Sequence, residues 1–408
     1  MYCGTCLRDN SLARELMRQG HDVLLVPIYT PTLTDEENVS ANKVFFGGIS
    51  VYLQQHYPIF RKLPAVFDKL WDSRWMLEKA TSGNIPVDPK LLGEMTVSML
   101  RGEDGFQAKE IRKLVEWLRN EPRPDVIDLP YTLLIALAAP LKRALGRPVL
   151  CTLQGEDLFL EGLKEPWRSE CLRLIRSNLQ HVDRFIAVSE YYAGFMSEYL
   201  GIARDRIDVA PLGISLEGHS DAERDRSGPL QIGYFARVAP EKGLHVLAEA
   251  VSRMQQPAKL RAAGYLPPEH TAYVRDLEQK YGFRYEGSPD RAGKIAFLQS
   301  IDVFSMPSPY ADPKGISLLE AMANGVPVVQ PNRGSFPEIM AKTRGGVVYE
   351  SDGLAQTLDE LAADRDRLRQ LGRNAASGVR EFYSITQMAK RTAEIYQSVA
   401  QGAALARR

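Results

Sequence analysis

Short apolar runs rich in β-branched residues alternate with helical patterns along almost the whole chain. Such alternation is typical of parallel sheets that are covered by helices. The runs predicted as strands are 22–29, 49–54, 125–130, 148–154 and 184–189 in the first half, and 230–235, 259–264, 283–288, 302–308 and 326–331 in the second. The pattern therefore predicts an α/β protein built on parallel sheets.

The length of the chain and one change in composition predict two domains. A chain of 408 residues is too long for a single hydrophobic core. The segment 209–229 is rich in glycine, proline and charge, which suits a linker. We predict an N-terminal domain over 1–212 and a C-terminal domain over 213–384. The final helical segment, 385–408, either completes the second domain or packs back onto the first.

The beginning of the sequence does not follow the usual order of a doubly wound domain. The chain opens on a loop, MYCGTC, followed by a helix with Leu12 and Leu16 on its apolar face and Gly20 at its end. A doubly wound domain normally starts with a strand that leads into such a loop. We expect that the sequence starts at an internal methionine and lacks this first strand. A naturally shortened sheet is the alternative.

Composition and charge exclude some classes of partner. Hydrophobic residues are 44% and charged residues 25% of the chain, as in ordinary soluble proteins. Lysine and arginine total 51, and so do aspartate and glutamate, so no overall field favours nucleic acid. No apolar run approaches the roughly 18 residues of a membrane span, and no signal peptide is recognisable. The four cysteines form no disulfide framework, so we expect a cytoplasmic protein.

The segment 309–330, PYADPKGISLLEAMANGVPVVQ, contains the most informative chemistry. A loop with Asp312 turns at Gly315 into a short helix that contains Glu320. The first amides of a helix have no partner inside it, so this helix start is a candidate anion site. Glu320 lies about 7 Å into the helix, where it could meet the ribose of a nucleotide whose diphosphate lies at the helix start. A surface carboxylate on an ordinary helix is the alternative.

A second candidate cluster follows the strand 230–235, in the loop ARVAPEKG. Arg237 and Lys242 are five positions apart at the carboxyl end of this strand, where open α/β sheets bind ligands. Two cations on one loop suit a diphosphate, because they stabilise the charge that develops when it leaves. The pair alone is also compatible with an ordinary solvated loop.

Together the two segments resemble the retaining, nucleotide-sugar-dependent glycosyltransferases of family 4, which have the GT-B fold. Members carry a G-R-x-x-x-x-K-G-type loop, here FARVAPEKG, and an E-x7-E segment ending in E-A-x-A-x-G-x-P-V, here DPKGISLLEAMANGVPVV. The strand DVFSMPS and the segment RGSFPEI match as well. The resemblance spans essentially the whole chain and is strongest over 230–340. It implies two Rossmann-like, doubly wound domains that face a cleft.

The resemblance also implies roles for individual residues. Arg237 and Lys242 would bind the donor diphosphate and stabilise it as leaving group, and Glu320 would bind the ribose hydroxyls. Asp312 stands where the family usually has its first glutamate, which contacts the transferred sugar. An aspartate reaches about 1.3–1.5 Å less far than a glutamate, which puts this contact in doubt.

Other positions implied in donor binding are amides at the helix start and residues of the first domain. They are Gly315, Ile316, Ser317, Gly4, Thr5, Gln154 and Asp157. Family members often have a histidine near the transferred sugar where this chain has Gln154. Glutamine cannot carry a positive charge, although it can donate a hydrogen bond. Asp157, and more weakly Glu156, could orient a sugar hydroxyl.

Three remaining patterns favour structural interpretations over redox, membrane or metal-binding ones. The pair Cys3 and Cys6 has the C-x-x-C spacing of redox sites, but the chain lacks a thioredoxin-type pattern and a second zinc half-site. An acceptor-side loop is the preferred interpretation. The aromatic stripe 59–77 is interpreted as core or as the wall of an acceptor site, with membrane-surface contact as the alternative. The six histidines show no metal spacing and no D-x-D follows a strand, so no metal is expected.

The leading hypothesis is a retaining glycosyltransferase that moves a hexosyl unit from a nucleoside diphosphate sugar to a glycan, lipid-linked or small-molecule acceptor. The alternative is a catalytically weak GT-B protein that binds nucleotide or glycan; Asp312, Gln154 and the missing first strand favour it. Sugar-nucleotide 2-epimerases share the architecture but not the motif around Glu320. A dinucleotide oxidoreductase is disfavoured because no G-x-G-x-x-G follows a strand. We expect no cofactor beyond the donor co-substrate, no nucleic-acid partner, and a location in the cytoplasm that leaves contact with the inner membrane face open.

Overall fold

The computed structural model describes residues 4–29, 32, 34, 36–47, 51, 53–55, 57–62, 89–221 and 228–405, and the fold given below concerns these residues. The protein is α/β, with a parallel sheet in each half of the chain. Cys3 and most of the predicted aromatic stripe 59–77 lie outside the described residues.

The N-terminal sheet has, within the described ranges, four parallel strands in the order β1–β2–β3–β4. These strands are β1 (Ile127–Leu129), β2 (Val149–Leu153), β3 (Arg184–Ala187) and β4 (Ile207–Val209). Every residue of β2 is buried, as expected for a central strand that is covered on both faces. The helices of this half are α1 (Gly4–Arg18), α2 (Pro58–Lys62), α3 (Pro89–Leu100), α4 (Ala108–Arg119), α5 (Ala138–Leu145), α6 (Asp157–Glu161), α7 (Trp167–Asn178) and α8 (Glu190–Leu200).

The predicted strand 22–29 is wrong. Where the structure describes this part of the chain, the segment makes a single isolated bridge, between Ile28 and Phe45. Pro27 has no amide hydrogen to donate to a strand ladder, which limits pairing on that edge. Within the described residues the segment therefore belongs to neither sheet.

The predicted strand 49–54 is also wrong, because residues 51 and 53–55 are helical. Val51, Gln54 and Gln55 are buried and recur at helical rather than strand spacing. Strand β4, three residues long, was not predicted; it overlaps the segment interpreted as a linker only at Val209.

The C-terminal sheet has six parallel strands in the order β10–β9–β8–β5–β6–β7 within the described residues. They are β5 (Leu230–Phe235), β6 (Ala258–Ala263), β7 (Arg284–Tyr285), β8 (Val303–Phe304), β9 (Val328–Pro331) and β10 (Gly346–Tyr349). The chain thus builds outward from β5 on one side and then crosses to β8 on the other, which is the doubly wound order of a Rossmann fold. Its helices are α9 (Leu244–Ser252), α10 (Thr271–Tyr281), α11 (Arg291–Gln299), α12 (Ile316–Ala323), α13 (Phe336–Thr343), α14 (Leu354–Ala363), α15 (Arg365–Phe382) and α16 (Ile385–Leu405).

By its contacts the chain divides into two compact units. The C-terminal unit contains Pro211–Ala389 together with Ser189–Tyr191, and the remaining described residues form the N-terminal unit. Helix α16 crosses this division, and its residues from Lys390 onward belong to the N-terminal unit. There Ile395 packs in one buried cluster with Leu150, Ile186 and Ala210.

Gly243 lies where the loop after β5 passes close to the chain after β8. Its φ of +77° falls in the left-handed region, and a Cβ atom built there would lie 2.1 Å from the Pro307 carbonyl oxygen. Gly282, at the end of α10, has a similar φ of +71° but no atom within 4 Å of such a Cβ. Substitution of Gly282 therefore tests backbone strain alone, whereas substitution of Gly243 tests backbone strain together with close packing.

We expect Gly282→Ala to lower the free energy of unfolding of the C-terminal unit by about 1 kcal/mol, the cost of the left-handed backbone. Gly243→Ala should cost about 3 kcal/mol, because the new methyl also forces two backbone segments apart. Urea unfolding followed by circular dichroism measures both. Equal costs for the two variants would show that the loops do not approach closely.

Candidate functional site

The candidate site lies in the C-terminal unit at the carboxyl ends of β5 and β8. These strands are neighbours in the sheet although β6 and β7 separate them in sequence. The chain leaves adjacent strands toward opposite faces at such a switch point, which leaves a crevice where open α/β sheets bind ligands. The buried Ser308 hydroxyl donates to the Glu241 carbonyl at 2.8 Å and so connects the loop after β8 to the loop after β5.

An ion pair joins the two loops. The Lys242 ammonium donates to Asp312 Oδ2 at 2.7 Å, and the two side chains are 19% and 10% exposed. Burial alone would raise the pKa of Asp312, but the charge and hydrogen bond of Lys242, with two amide hydrogen bonds, outweigh it and lower the pKa to about 2. Asp312 is therefore an ionised carboxylate that holds Lys242 at the crevice.

The same aspartate also shapes the start of helix α12. Asp312 Oδ1 accepts hydrogen bonds from the amides of Lys314 at 2.9 Å and Gly315 at 3.0 Å. Its carbonyl accepts from the Ser335 amide and hydroxyl, both at 2.9 Å. One residue thus connects the loop after β5, the start of α12 and the loop after β9.

Arg237 has a different partner from Lys242. Its guanidinium forms an ion pair with Glu241, four positions along the same loop, and the arginine side chain is 38% exposed. The two predicted cations thus lie on one loop, each beside its own carboxylate. A bound anion would compete with these carboxylates for both cations.

The predicted amide donors lie at the start of α12. Gly315 is buried, and its amide is already bonded to Asp312, whereas Ile316 and Ser317 are half-buried residues of the first turn. Amides of a first helical turn have no partner within their helix. Ile316 and Ser317 therefore fit a phosphate contact better than Gly315 does.

Glu320 lies farther along α12 and is buried against a lysine that the sequence did not indicate. Lys294 Nζ donates to Glu320 Oε1 at 2.6 Å, and the side chains are 11% and 9% exposed. Lys294 lies in the first turn of α11, where the helix dipole disfavours a cation. A lysine in that position among apolar residues was the signal that could have indicated a buried carboxylate partner.

The candidate residues of the N-terminal unit form a separate polar cluster. The Gln154 side chain donates to the Pro130 carbonyl at 2.7 Å, and the Tyr192 hydroxyl donates to Asp157 Oδ1 at 2.8 Å. Glu156 accepts from the amide and hydroxyl of Thr132 and from the amide of Gln154, so it acts as a buried structural acceptor.

Gly4 and Thr5 were predicted in a loop, but both lie in the first turn of α1. Helix α1 therefore begins inside the C-x-x-C segment, and Cys6 is a half-buried helical residue. Burial raises the pKa of the Cys171 thiol to about 12 and raises that of Cys151 as well. Both thiols are therefore poor nucleophiles.

The described residues contain neither a metal-binding cluster nor a membrane-spanning helix. No group of three or more histidine, cysteine, aspartate or glutamate side chains in this part of the chain is placed to hold a metal ion. None of its helices is long and apolar enough to cross a membrane.

Two Rossmann-like parallel sheets and a crevice at the switch point of the second define the architecture as GT-B. The family model for Glycosyltransferase Family 4 matches residues 95–217, and that for Glycosyl transferases group 1 matches residues 218–378. The chain belongs to the group 1 glycosyltransferases of family 4.

Individual relatives are more distant. WcaL of Escherichia coli, whose assignment as a colanic acid biosynthesis glycosyltransferase is itself provisional, is 28% identical over 237 residues, which are 53% of this chain and 57% of WcaL. The chain thus spans little more than half the length of that relative. Among solved structures, sucrose-phosphate synthase from Thermosynechococcus elongatus superposes with a TM-score of 0.62 at 19% identity, over 72% of this chain and 79% of the other. Anabaena HepE in complex with UDP superposes with a TM-score of 0.63 at 20% identity, over 73% of this chain and 84% of HepE.

The Lys242–Asp312 pair predicts a pH-dependent contribution to stability. The pKa of Asp312 falls from 3.8 to about 2 on folding, so its stabilisation is complete above about pH 4 and is lost as pH falls toward 2. We expect Asp312→Asn to lower stability by about 2 kcal/mol near neutral pH. Thermal unfolding measured at a series of pH values should show that the free energy of unfolding of Asp312→Asn lies below that of wild type by a constant amount down to about pH 4. Below that pH the difference should shrink.

The matched control for this experiment is Asp276→Asn, an exposed aspartate of α10 in the same unit. It should stay within about 0.5 kcal/mol of wild type, as surface substitutions usually do. If Asp312→Asn lowers the free energy of unfolding by no more than Asp276→Asn does, the ion pair does not stabilise the site.

Proposed function

We propose that this protein transfers a hexosyl unit from a nucleoside diphosphate sugar to an acceptor hydroxyl, with retention of anomeric configuration. The observation that carries the proposal is the convergence of Arg237, Lys242 and the start of α12 at one switch point. Two cations and a set of helix-start amides there suit a diphosphate. Membership of a glycosyltransferase family supports the reaction class.

The reaction needs a leaving group that the site stabilises. The acceptor oxygen attacks the anomeric carbon, and the bond from that carbon to the diphosphate breaks with its electron pair going to the diphosphate. The acceptor proton passes to an oxygen of the departing phosphate on the same face. Arg237 and Lys242 would stabilise the charge that develops, which is worth more in a site from which water is excluded.

Neither buried carboxylate is proposed as a nucleophile. Retaining hydrolases use two carboxyl groups that flank the reacting bond and act on it together. Here Asp312 is engaged by Lys242 and two amides, and Glu320 is engaged by Lys294. We assign Asp312 as the residue that positions Lys242, and Glu320 as the ligand of the ribose hydroxyls.

The remaining assignments extend this proposal to the acceptor. Gln154 and Asp157, together with Gly4 and Thr5 at the start of α1, are proposed to line the acceptor side and the transferred sugar. The donor is proposed as the co-substrate of a reaction that needs no metal and no further cofactor. A glycan, a lipid-linked sugar or a small molecule would serve as acceptor.

Nucleotide binding is the first test. Thermal unfolding with UDP, GDP and ADP should show stabilisation by one of the three, by about 3 kcal/mol at a hundredfold excess over its Kd. HepE has been solved with UDP, which makes UDP the first probe. Stabilisation that persists in EDTA agrees with the metal-independent proposal, and the absence of a shift with all three nucleotides would contradict donor binding.

Substitution of the two cations tests catalysis. Arg237→Gln and Lys242→Gln should each lower kcat for donor turnover by about a hundredfold or more, because each removes charge stabilisation of the leaving group. The rate of donor turnover is measured as consumption of the donor, with and without extracts that contain possible acceptors. Lys259→Gln is the matched control, an exposed lysine of β6 near the amino end of that strand, and it should retain the wild-type rate.

The outcome also separates the enzyme from a binding protein. A protein that binds the nucleotide but never turns over the donor above background would be the catalytically weak GT-B protein. Unchanged rates in both glutamine variants would remove Arg237 and Lys242 from the mechanism.

A further inference from the structure

The interaction between Lys294 and Glu320 differs from the other lysine–carboxylate pair of the site. Lys242 and Asp312 join two loops, whereas Lys294 and Glu320 join two helices, α11 and α12, with Nζ and Oε1 2.6 Å apart. As whole residues, Lys294 and Glu320 are 8% and 7% exposed. Either charge without the other would be strongly destabilising in such a buried site. The two side chains are therefore expected to stay in contact.

Helix α11 holds Lys294 in place although its dipole does not favour a cation there. The Asp290 carboxylate caps the helix by accepting from the Gly293 amide at 2.8 Å. Lys294 follows at the end of the first turn and is fixed in the helix by its own amide, which donates to the Asp290 carbonyl at 2.8 Å. The cation is thus presented to Glu320 from a rigid element, which is how precise sites are built.

The other side of Glu320 is fixed through its backbone. The Asn324 side chain is fully buried and donates to the Glu320 carbonyl at 2.9 Å. The same side-chain nitrogen lies 2.8 Å from His219 Nδ1. Burial and the nearby charges of Arg291 and Lys294 lower the pKa of His219 to about 4, so this histidine is neutral at pH 7. Among the described residues, Lys294 is the cation that donates a hydrogen bond to the Glu320 carboxylate.

We propose that Lys294 is a positioning residue for recognition of the ribose diol: it holds Glu320 Oε1 so that Oε2 accepts from a ribose hydroxyl. The inference rests on the proposed function, since it requires that a nucleotide binds at the start of α12. An ionised carboxylate accepts hydrogen bonds at both oxygens. With one oxygen held by the ammonium, the carboxylate has one orientation left for the ligand.

The ribose contact can be measured with a matched pair of ligands. For whichever of UDP, GDP and ADP binds, the ratio of Kd values between the 2′-deoxynucleotide and the ribonucleotide reports the hydroxyl contact. A hydrogen bond to a charged acceptor predicts a wild-type ratio of about tenfold or more. In Lys294→Met this ratio should fall to within about twofold of one, whereas Lys294→Arg should restore most of it.

A general loss of structure would weaken both ligands by the same factor and leave the ratio unchanged. If Lys294→Met folds poorly, the comparison of Glu320→Gln with Glu320→Gln/Lys294→Met carries the test. The double variant leaves no unpaired charge, and in Glu320→Gln the amide oxygen can still accept a hydrogen bond from the Lys294 ammonium. Equal ratios in these two proteins are expected if Lys294 acts through Glu320. A further drop in the double variant would show that Lys294 contacts the nucleotide directly and would overturn the inference.

The two proposals fail in different ways. A wild-type protein that binds none of the three nucleotides overturns the proposed function and this inference together. A protein that binds and discriminates the ribonucleotide, and keeps its wild-type ratio in Lys294→Met, overturns the role of Lys294 and leaves the proposed function standing.

Discussion

The site depends on one ion pair, which could form only in this sheet order. Lys242 and Asp312 are 70 positions apart and follow different strands, yet their charged atoms lie 2.7 Å apart. They meet because β5 and β8 are neighbours at the switch point. Removing the Asp312 charge would leave the Lys242 charge largely buried without its partner, at a cost of about 2 kcal/mol near neutral pH. The pair therefore fixes the two loops as well as the two charges.

This constraint holds two cations in place without a ligand, as the proposed function requires. Each cation of the loop after β5 lies beside a carboxylate of opposite charge, Arg237 by Glu241 and Lys242 by Asp312. The cations are thereby kept in position without a ligand, and a diphosphate that binds would compete with Glu241 and Asp312 for them. The local charges are balanced, just as 51 basic and 51 acidic residues balance over the chain. Under the proposed function, affinity for a diphosphate would thus come from the local placement of these cations and not from net charge.

Some parts of the molecule were predicted well from the sequence and others were not, and each outcome has a physical reason. The prediction of 230–235 coincides with β5, a mostly buried and mostly apolar central strand that lies between β6 and β8 in the sheet. The prediction of 22–29 failed, since an apolar run becomes a strand only where a neighbouring strand accepts its hydrogen bonds. Motif spacing singled out Arg237 and Glu320 as candidates, and their roles stay predictions. Motif spacing could not locate Lys294, because the contact of Lys294 with Glu320 depends on how two helices pack.

The aspartate at position 312 is better explained by its local structure than by a weakened active site. Its Oδ1 atom accepts from the amides of Lys314 and Gly315, two and three positions ahead, which is the geometry that short aspartate side chains favour in turns. A glutamate is one methylene longer and would place its carboxylate beyond these amides, about 1.3–1.5 Å farther along the side chain. The shorter side chain thus closes the turn into α12 with one oxygen and holds Lys242 with the other. A residue that organises the helix start and positions Lys242 at once would serve the proposed leaving-group chemistry, in which Lys242 stabilises the departing diphosphate.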